Sequence, residues 1–135
     1  MGNNNTGSLD TNVLLRMVVG DVPEQTTLIN TLFKQKDYFH VSDIVIFEMV
    51  FVLDCVYKFS REDIIETVYT VIRNEKINCN RKLFELALHM YSENAKLSFV
   101  DCTLPHYAML NNASPLYTFD KELAKKCPKV TAIGE

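Results

Sequence analysis

The apolar positions fall into helical runs separated by short β-prone segments. Thr11 to Val19 is mostly apolar and stops at Gly20, which predicts a helix closed by glycine. GDVPEQ then reads as a turn, with Pro23 in the first turn of a second helix carrying Leu28, Ile29, Leu32 and Phe33. Tyr38 to Val41 is β-prone. Ser42 follows as a helix cap with Asp43 in the first turn, and the helix from Asp43 to about Lys58 is apolar nearly all round, which predicts deep burial. Ser60 caps a helix with Ile64, Ile65, Val68, Tyr69 and Ile72 on one face. Lys76 to Cys79 is a short extended linker, and Asn80 caps a helix with Leu83, Phe84, Ala87, Leu88 and Tyr91. A further helix runs from about Phe99 to Asn111 with Pro105 inside it. After a loop come the strand Leu116 to Phe119, a short helix from Lys121 to Lys126 opened by Asp120, and a last strand from Lys129 to Ile133.

Short strands separated by helices, with no hairpin signal between any two, predict an α/β fold with a small parallel sheet. Ligands of such sheets bind beyond the carboxyl ends of the strands. Asp10 and Asp120 fall at such ends, each between a candidate strand and its helix.

Length and composition add bounds. The chain has 135 residues, 47% apolar and 23% charged, which is the make-up of one globular domain. Met1 to Ser8 is polar and has no apolar core, so it reads as a tail or tag rather than a signal peptide, leaving 9–135 as a single domain. The apolar run Ile44 to Tyr57 contains Glu48 and Asp54 and is shorter than the roughly 18 residues a membrane span needs. A net charge of −3 excludes holding a polyanion by bulk charge, so nucleic acid requires a metal or a local basic patch. Cys55, Cys79, Cys102 and Cys127 form no CxxC pair, and His40, His89 and His106 lack metal-ligand spacing.

Four acids carry the candidate chemistry. Glu48 is flanked at helical spacing by Ile44, Val45, Phe51 and Val52, all apolar. A carboxylate buried there needs a partner, a proton or a metal, whereas at a helix edge it simply reaches water. Asp101 sits between Val100 and Cys102 near the start of an apolar helix, where the helix dipole also favours an acid. Asp10 and Asp120 each serve equally as helix caps. Two carboxylates about 4 Å apart repel by roughly 4 kcal/mol at an effective dielectric of 20, so convergence of the four calls for a cation. With no thiolate or histidine cluster, hard Mg²⁺ or Mn²⁺ suits these oxygens better than zinc.

These residues resemble the PIN domain, in particular the VapC-type ribonuclease toxins of bacterial and archaeal toxin–antitoxin pairs. LDTNVLLRMVVGDVPEQ looks like the family's first block, VSDIVIFEMVFVLDCVY the second with Glu48, LSFVDCTLPHYAML the third with Asp101, and PLYTFDKELAKK the last with Asp120. The blocks cover most of 9–133 in the family's order. Ser98 stands where members often carry a further Asp, and Pro105 and His106 where small apolar residues are usual. The resemblance implies a three-layer α/β/α fold around a parallel sheet of about four to five strands. It implies a cytoplasmic, metal-dependent endoribonuclease that hydrolyses RNA without a covalent intermediate. Asp10, Glu48, Asp101 and Asp120 would be the catalytic acids and the ligands of Mg²⁺ or Mn²⁺. Asn12 would hold Asp10 in place, and Thr118 would be a polar neighbour of the site. A homodimer and a small antitoxin partner are implied as well, with no membrane.

Arg16, close to Asp10 in sequence, and Lys121, beside Asp120, are the candidate phosphate contacts. Lys121, Lys125, Lys126 and Lys129 serve equally as a solvated face. Three other readings compete: a PIN nuclease of RNA processing without an antitoxin, a catalytically silent PIN interaction module, and a phospho-acceptor signalling domain. The last expects paired acids after the first strand, where Thr11 and Asn12 stand here.

Overall fold

Side-chain caps set where most of the helices begin. In the computed structural model, which describes residues 5–134, Asp10, Ser42, Ser60, Ser98 and Asp120 each accept a backbone N–H from the first turn of the helix that follows. Residues 1–4 of the predicted tail lie outside the described residues. The chain divides into two compact units, one up to Arg81 and the other from Lys82 onward.

The first unit alternates strands and helices: β1 (Thr6–Ser8), α1 (Thr11–Val19), α2 (Pro23–Gln35), β2 (Tyr38–His40), α3 (Asp43–Cys55), α4 (Arg61–Ile72) and β3 (Ile77–Asn78). Its sheet runs β1-β2-β3, all parallel, with Ser8 opposite His40 and His40 opposite Asn78. Parallel neighbours need a crossover, and the helix pairs α1–α2 and α3–α4 supply one each. Thr6–Ser8 corrects the reading of 1–8 as a tail outside the fold. A polar segment forms a strand here because Tyr38–His40 supplies a backbone ladder, which Leu9 extends by donating its N–H to the His40 carbonyl at 3.0 Å. Gly20 ends α1 in the left-handed region (φ 70°), and its N–H reaches the Arg16 carbonyl. Leu14, Ile46, Met49, Leu53, Ile64 and Ile72 are fully buried, each contributing roughly 1.5–3 kcal/mol by leaving water.

Helix α3 departs from the sequence reading. Its Ile46, Met49, Val50 and Leu53 are buried, and the helix packs on α1 and α4. Ile44 and Phe51, together with Val56 just past its end, are about two-thirds exposed or more. A helix that is apolar all round does not declare which face finds protein, and here one face of the chain stays open. The helix also stops three residues short of Lys58, closing at Cys55.

The second unit holds α5 (Arg81–Glu93) from its second residue onward, α6 (Phe99–Leu110), β4 (Leu116–Thr118), α7 (Lys121–Lys126) and β5 (Val130–Ala132). Strands β4 and β5 pair in parallel, Leu116 with Val130 and Thr118 with Ala132, and α7 packs on both. Phe84 of α5 stacks on Phe99 of α6 with ring centroids 6.0 Å apart, and Tyr91 meets Phe99 edge-on. Pro105 is accommodated inside α6 although it removes one helical N–H. His106 presents a buried Nε2 without a hydrogen-bond partner among the described residues. Burial, and secondarily the nearby His89, hold its pKa below the usual histidine value, so it is neutral at physiological pH. The Asn80 amide, expected to cap α5, instead donates to the Asp43 carboxylate at 3.4 Å.

The fold is thus α/β with small parallel sheets and, among the described residues, seven helices. Among the described residues five strands pair in parallel, three in the first unit and two in the second, in keeping with the expected α/β/α class of four to five parallel strands. Apolar strands such as Leu116–Thr118 reveal themselves by composition, but strand partners are chosen by long-range packing that composition does not encode. No helix among the described residues is long and apolar enough to cross a membrane.

Candidate active site

Asp10 and Glu48 come together in the first unit. They line one cleft of about 460 Å³, whose walls also include Thr11, Asn12, Leu15, Arg16, Val52, Val56 and Tyr57. Asp10 is there because β1 ends just before it and α1 starts just after it. Its Oδ1 accepts the Val13 N–H at 2.9 Å, and its Oδ2 has no hydrogen-bond partner among the described residues. Glu48 is there because it lies in the middle of α3, on the side of that helix facing the start of α1. The Thr11 hydroxyl donates to Glu48 Oε1 at 2.6 Å, which joins the first turn of α1 to α3 across 37 residues of sequence.

Glu48 is exposed, so the helix-edge reading of this residue is the correct one and the buried reading is not. Its neighbours Ile44 and Phe51 are themselves open to solvent, and an apolar sequence context therefore overstated its desolvation. Consequently Glu48→Gln is expected to change the melting free energy of the metal-free protein by less than about 0.5 kcal/mol, as surface substitutions usually do. A thermal melt in EDTA checks it, and a large loss would make Glu48 a structural hydrogen-bonding residue.

Asn12 does not do what was expected of it. It lines the cleft but makes no hydrogen bond to Asp10. The carboxylate is held by the N–H of the α1 first turn, a stronger local partner than a side-chain amide. Thr11, one residue earlier, makes the contact that organises the site, and nothing in the sequence separates it from Asn12 in advance.

Arg16 also lines the cleft. Its Nη1 donates to Asp21 Oδ1 at 3.0 Å and to the Tyr57 hydroxyl at 2.9 Å, and Tyr57 in turn donates to Asp21 Oδ2 at 3.0 Å. The Tyr57 hydrogen bond, with help from the Asp21 charge, raises the guanidinium pKa above its already high value. Asp21 and Tyr57 are partners that the sequence reading missed. They lie far apart along the chain, and no local pattern links them.

The strand ends themselves open on a separate cleft of about 410 Å³, lined by Ser8, Leu9, His40, Val41, Ser42, Asn78 and Cys79. Burial pushes the Cys79 thiol up, against the opposing influence of Arg81, so it stays a protonated thiol at neutral pH.

The other two acids belong to the second unit. Asp101 is half-buried in the first turn of α6, and its N–H donates to the Ser98 hydroxyl at 3.1 Å. Asp120 follows β4 and caps α7, accepting from Glu122 N and Leu123 N at 2.9 and 3.1 Å. Thr118 is its polar neighbour, with Oγ1 accepting the Asp120 N–H at 2.9 Å. Lys121 opens α7, where it lines a surface hollow with Glu122 and Lys125.

Among the described residues no group of three or more His, Cys, Asp or Glu side chains stands ready to hold a metal ion. Like charges without a cation turn to the nearest donors, as Asp10 does to Val13 and Glu48 to Thr11. The donor chemistry of the first-unit cleft nevertheless fits a hard divalent cation. It offers two carboxylates, a hydroxyl and an amide oxygen, with one oxygen of Asp10 uncommitted.

The PIN domain family model matches residues 8–128. The chain is 35% identical over 98 residues to the VapC ribonuclease of Aquifex aeolicus (strain VF5), a match that covers 70% of this chain and 72% of that protein.

Proposed function

The chain belongs to the PIN domain family, and from that premise we propose that it is a metal-dependent endoribonuclease, the toxin of a toxin–antitoxin pair. The observation that carries the reading is the cleft in which Asp10 and Glu48 stand together, with Thr11 between their helices and Arg16 on the wall. The ribonuclease relative supports the substrate class.

In this reading water attacks an RNA phosphodiester, forming a new P–O bond while one ribose oxygen leaves, and no bond forms between protein and RNA. Asp10 and Glu48 would hold Mg²⁺ or Mn²⁺. Asp101 and Asp120 are the acids that the sequence pattern adds from the second unit. The ion, when bound, lowers the pKa of the attacking water and offsets charge on the phosphate. The chain's own residues do the rest. The α1 N-terminus fixes the Asp10 carboxylate, Thr11 fixes the rotamer of Glu48, and Arg16 supplies positive charge beside two acids. The proposed partners are RNA, a small antitoxin and a second copy of the chain, in the cytoplasm. Exposed Ile44 and Phe51 on α3 support a partner of some kind, because an apolar face left open is the usual mark of a contact surface.

The test is cleavage of total RNA, mapped by sequencing, with EDTA and then with Mg²⁺ or Mn²⁺ restored. Cleavage is expected to vanish in EDTA and to return with either ion. A saturating ion is also expected to raise the melting temperature, about 2.7 kcal/mol of stabilisation at a hundredfold excess over Kd. Cleavage undiminished by EDTA overturns metal dependence, and absence of cleavage under all conditions favours the silent interaction module.

A further inference from the structure

The ring formed by Arg16, Asp21 and Tyr57 has an uneven use of donors. A carboxylate facing an arginine alone takes the guanidinium fork with two nitrogens. Here a single nitrogen, Nη1, serves both Asp21 and Tyr57, while Tyr57 occupies the second oxygen of Asp21. Nε and Nη2 of Arg16 are left without a partner among the described residues. The ring joins three places: α1, the turn just after Gly20, and the chain just past the end of α3. Arg16 and Tyr57 line the cleft of Asp10 and Glu48, and Arg16 is the one lysine or arginine among its lining residues. Its side chain keeps 28% of its surface exposed while lining the cleft.

A nuclease cleft walled by carboxylates repels the phosphates it must admit. A cation there helps only if its free donors point to where the phosphate passes, because an unrestrained arginine loses rotamer freedom on binding or folds back onto the acids. The geometry points to Tyr57 and Asp21 as positioning residues that hold Arg16 by one nitrogen, so that Nε and Nη2 receive a phosphate of the RNA backbone. This rests on the nuclease reading above and adds to it the group that grips the substrate and the pair that aims it.

The experiment uses the whole chain, with Tyr57→Phe, Arg16→Gln, Arg16→Lys and the Tyr57→Phe/Arg16→Gln double variant. The readouts are steady-state cleavage of single-stranded RNA and binding of a fluorescein-labelled single-stranded RNA in EDTA at several salt concentrations. Tyr57→Phe is expected to raise KM and the EDTA Kd about fivefold, with kcat changed less than about twofold. Arg16→Gln raises both about tenfold or more and flattens the slope of log K against log salt by about 0.7, as loss of one phosphate contact on a single strand should. Arg16→Lys keeps the slope and recovers part of the affinity. In the Arg16→Gln background, Tyr57→Phe adds nothing further, because its effect runs through Arg16.

A wild type that binds RNA while KM and Kd ignore Tyr57→Phe overturns the positioning role. So does a Tyr57→Phe effect of equal size with and without Arg16, which marks Tyr57 as structural support. A wild type that binds labelled RNA but never cuts it overturns the nuclease reading alone, and the binding arm still decides the inference. A wild type that neither binds nor cuts overturns both.

Discussion

Asp10→Asn is expected to lower the rate of RNA cleavage by a factor of about 10³ or more while leaving the fold intact, the scale on which a lost charge-stabilising group acts. The two halves of that expectation come from the two oxygens of the carboxylate. Oδ1 caps α1 through Val13, and the amide oxygen of asparagine accepts the same N–H, since Asn and Asp are equivalent helix caps. The one structural loss is the attraction between a negative charge and the helix N-terminus, about 0.3–1 kcal/mol at an exposed site. Oδ2, which has no hydrogen-bond partner among the described residues, is the atom available to a cation, and an amide offers a hard ion far less than an anionic oxygen does. Asp10→Ala removes cap and charge together, so it confounds the two. The measurement is kcat on a mapped RNA substrate beside a melting curve in EDTA. Full activity in Asp10→Asn removes the residue from the reaction, and an unfolded Asp10→Asn means that Oδ2 has a structural duty.

What the sequence disclosed about this site was its local part. Asp10, Ser42, Ser60 and Asp120 are caps because a side chain three residues or fewer from a free N–H has little choice of partner. Gly20 stops α1 because the next residue must adopt a positive φ. The partners chosen over long distances stayed hidden. Arg16 and Tyr57 are 41 residues apart, and nothing in either neighbourhood names the other. Thr6–Ser8 became a strand through the backbone of Tyr38–His40, and a ladder of N–H and C=O groups carries no side-chain signature. Glu48 shows the opposite error. Its apolar neighbours suggested burial, yet Ile44 and Phe51 are exposed, because an apolar residue can serve a contact with another molecule as well as a core. The sequence points to Glu48 through a burial that the structure does not show.

Phe84→Ala is expected to cost the second unit about 3–5 kcal/mol, the range for removing a large aromatic from a packed interior. Phe84 has no exposed surface, so its ring leaves a cavity rather than a solvated dent. Its stack on Phe99, with planes 8° apart, is lost too, while the edge contact of Phe99 with Tyr91 remains. For a domain whose total stability is about 5–15 kcal/mol, this is a large share, and the melting temperature should fall by about 10 °C or more. The loss reaches function through a definite route. Phe99 is the first residue of α6, next to its cap Ser98, and Asp101 sits in that same first turn. Loosening the Phe84–Phe99 stack therefore frees the turn that carries a proposed catalytic acid. Cleavage should fall further than the folded fraction alone accounts for, whereas Phe84→Leu, which refills most of the space, should restore both stability and activity in large part. Equal loss of activity and folded fraction in Phe84→Ala would mean that Asp101 does not depend on this stack.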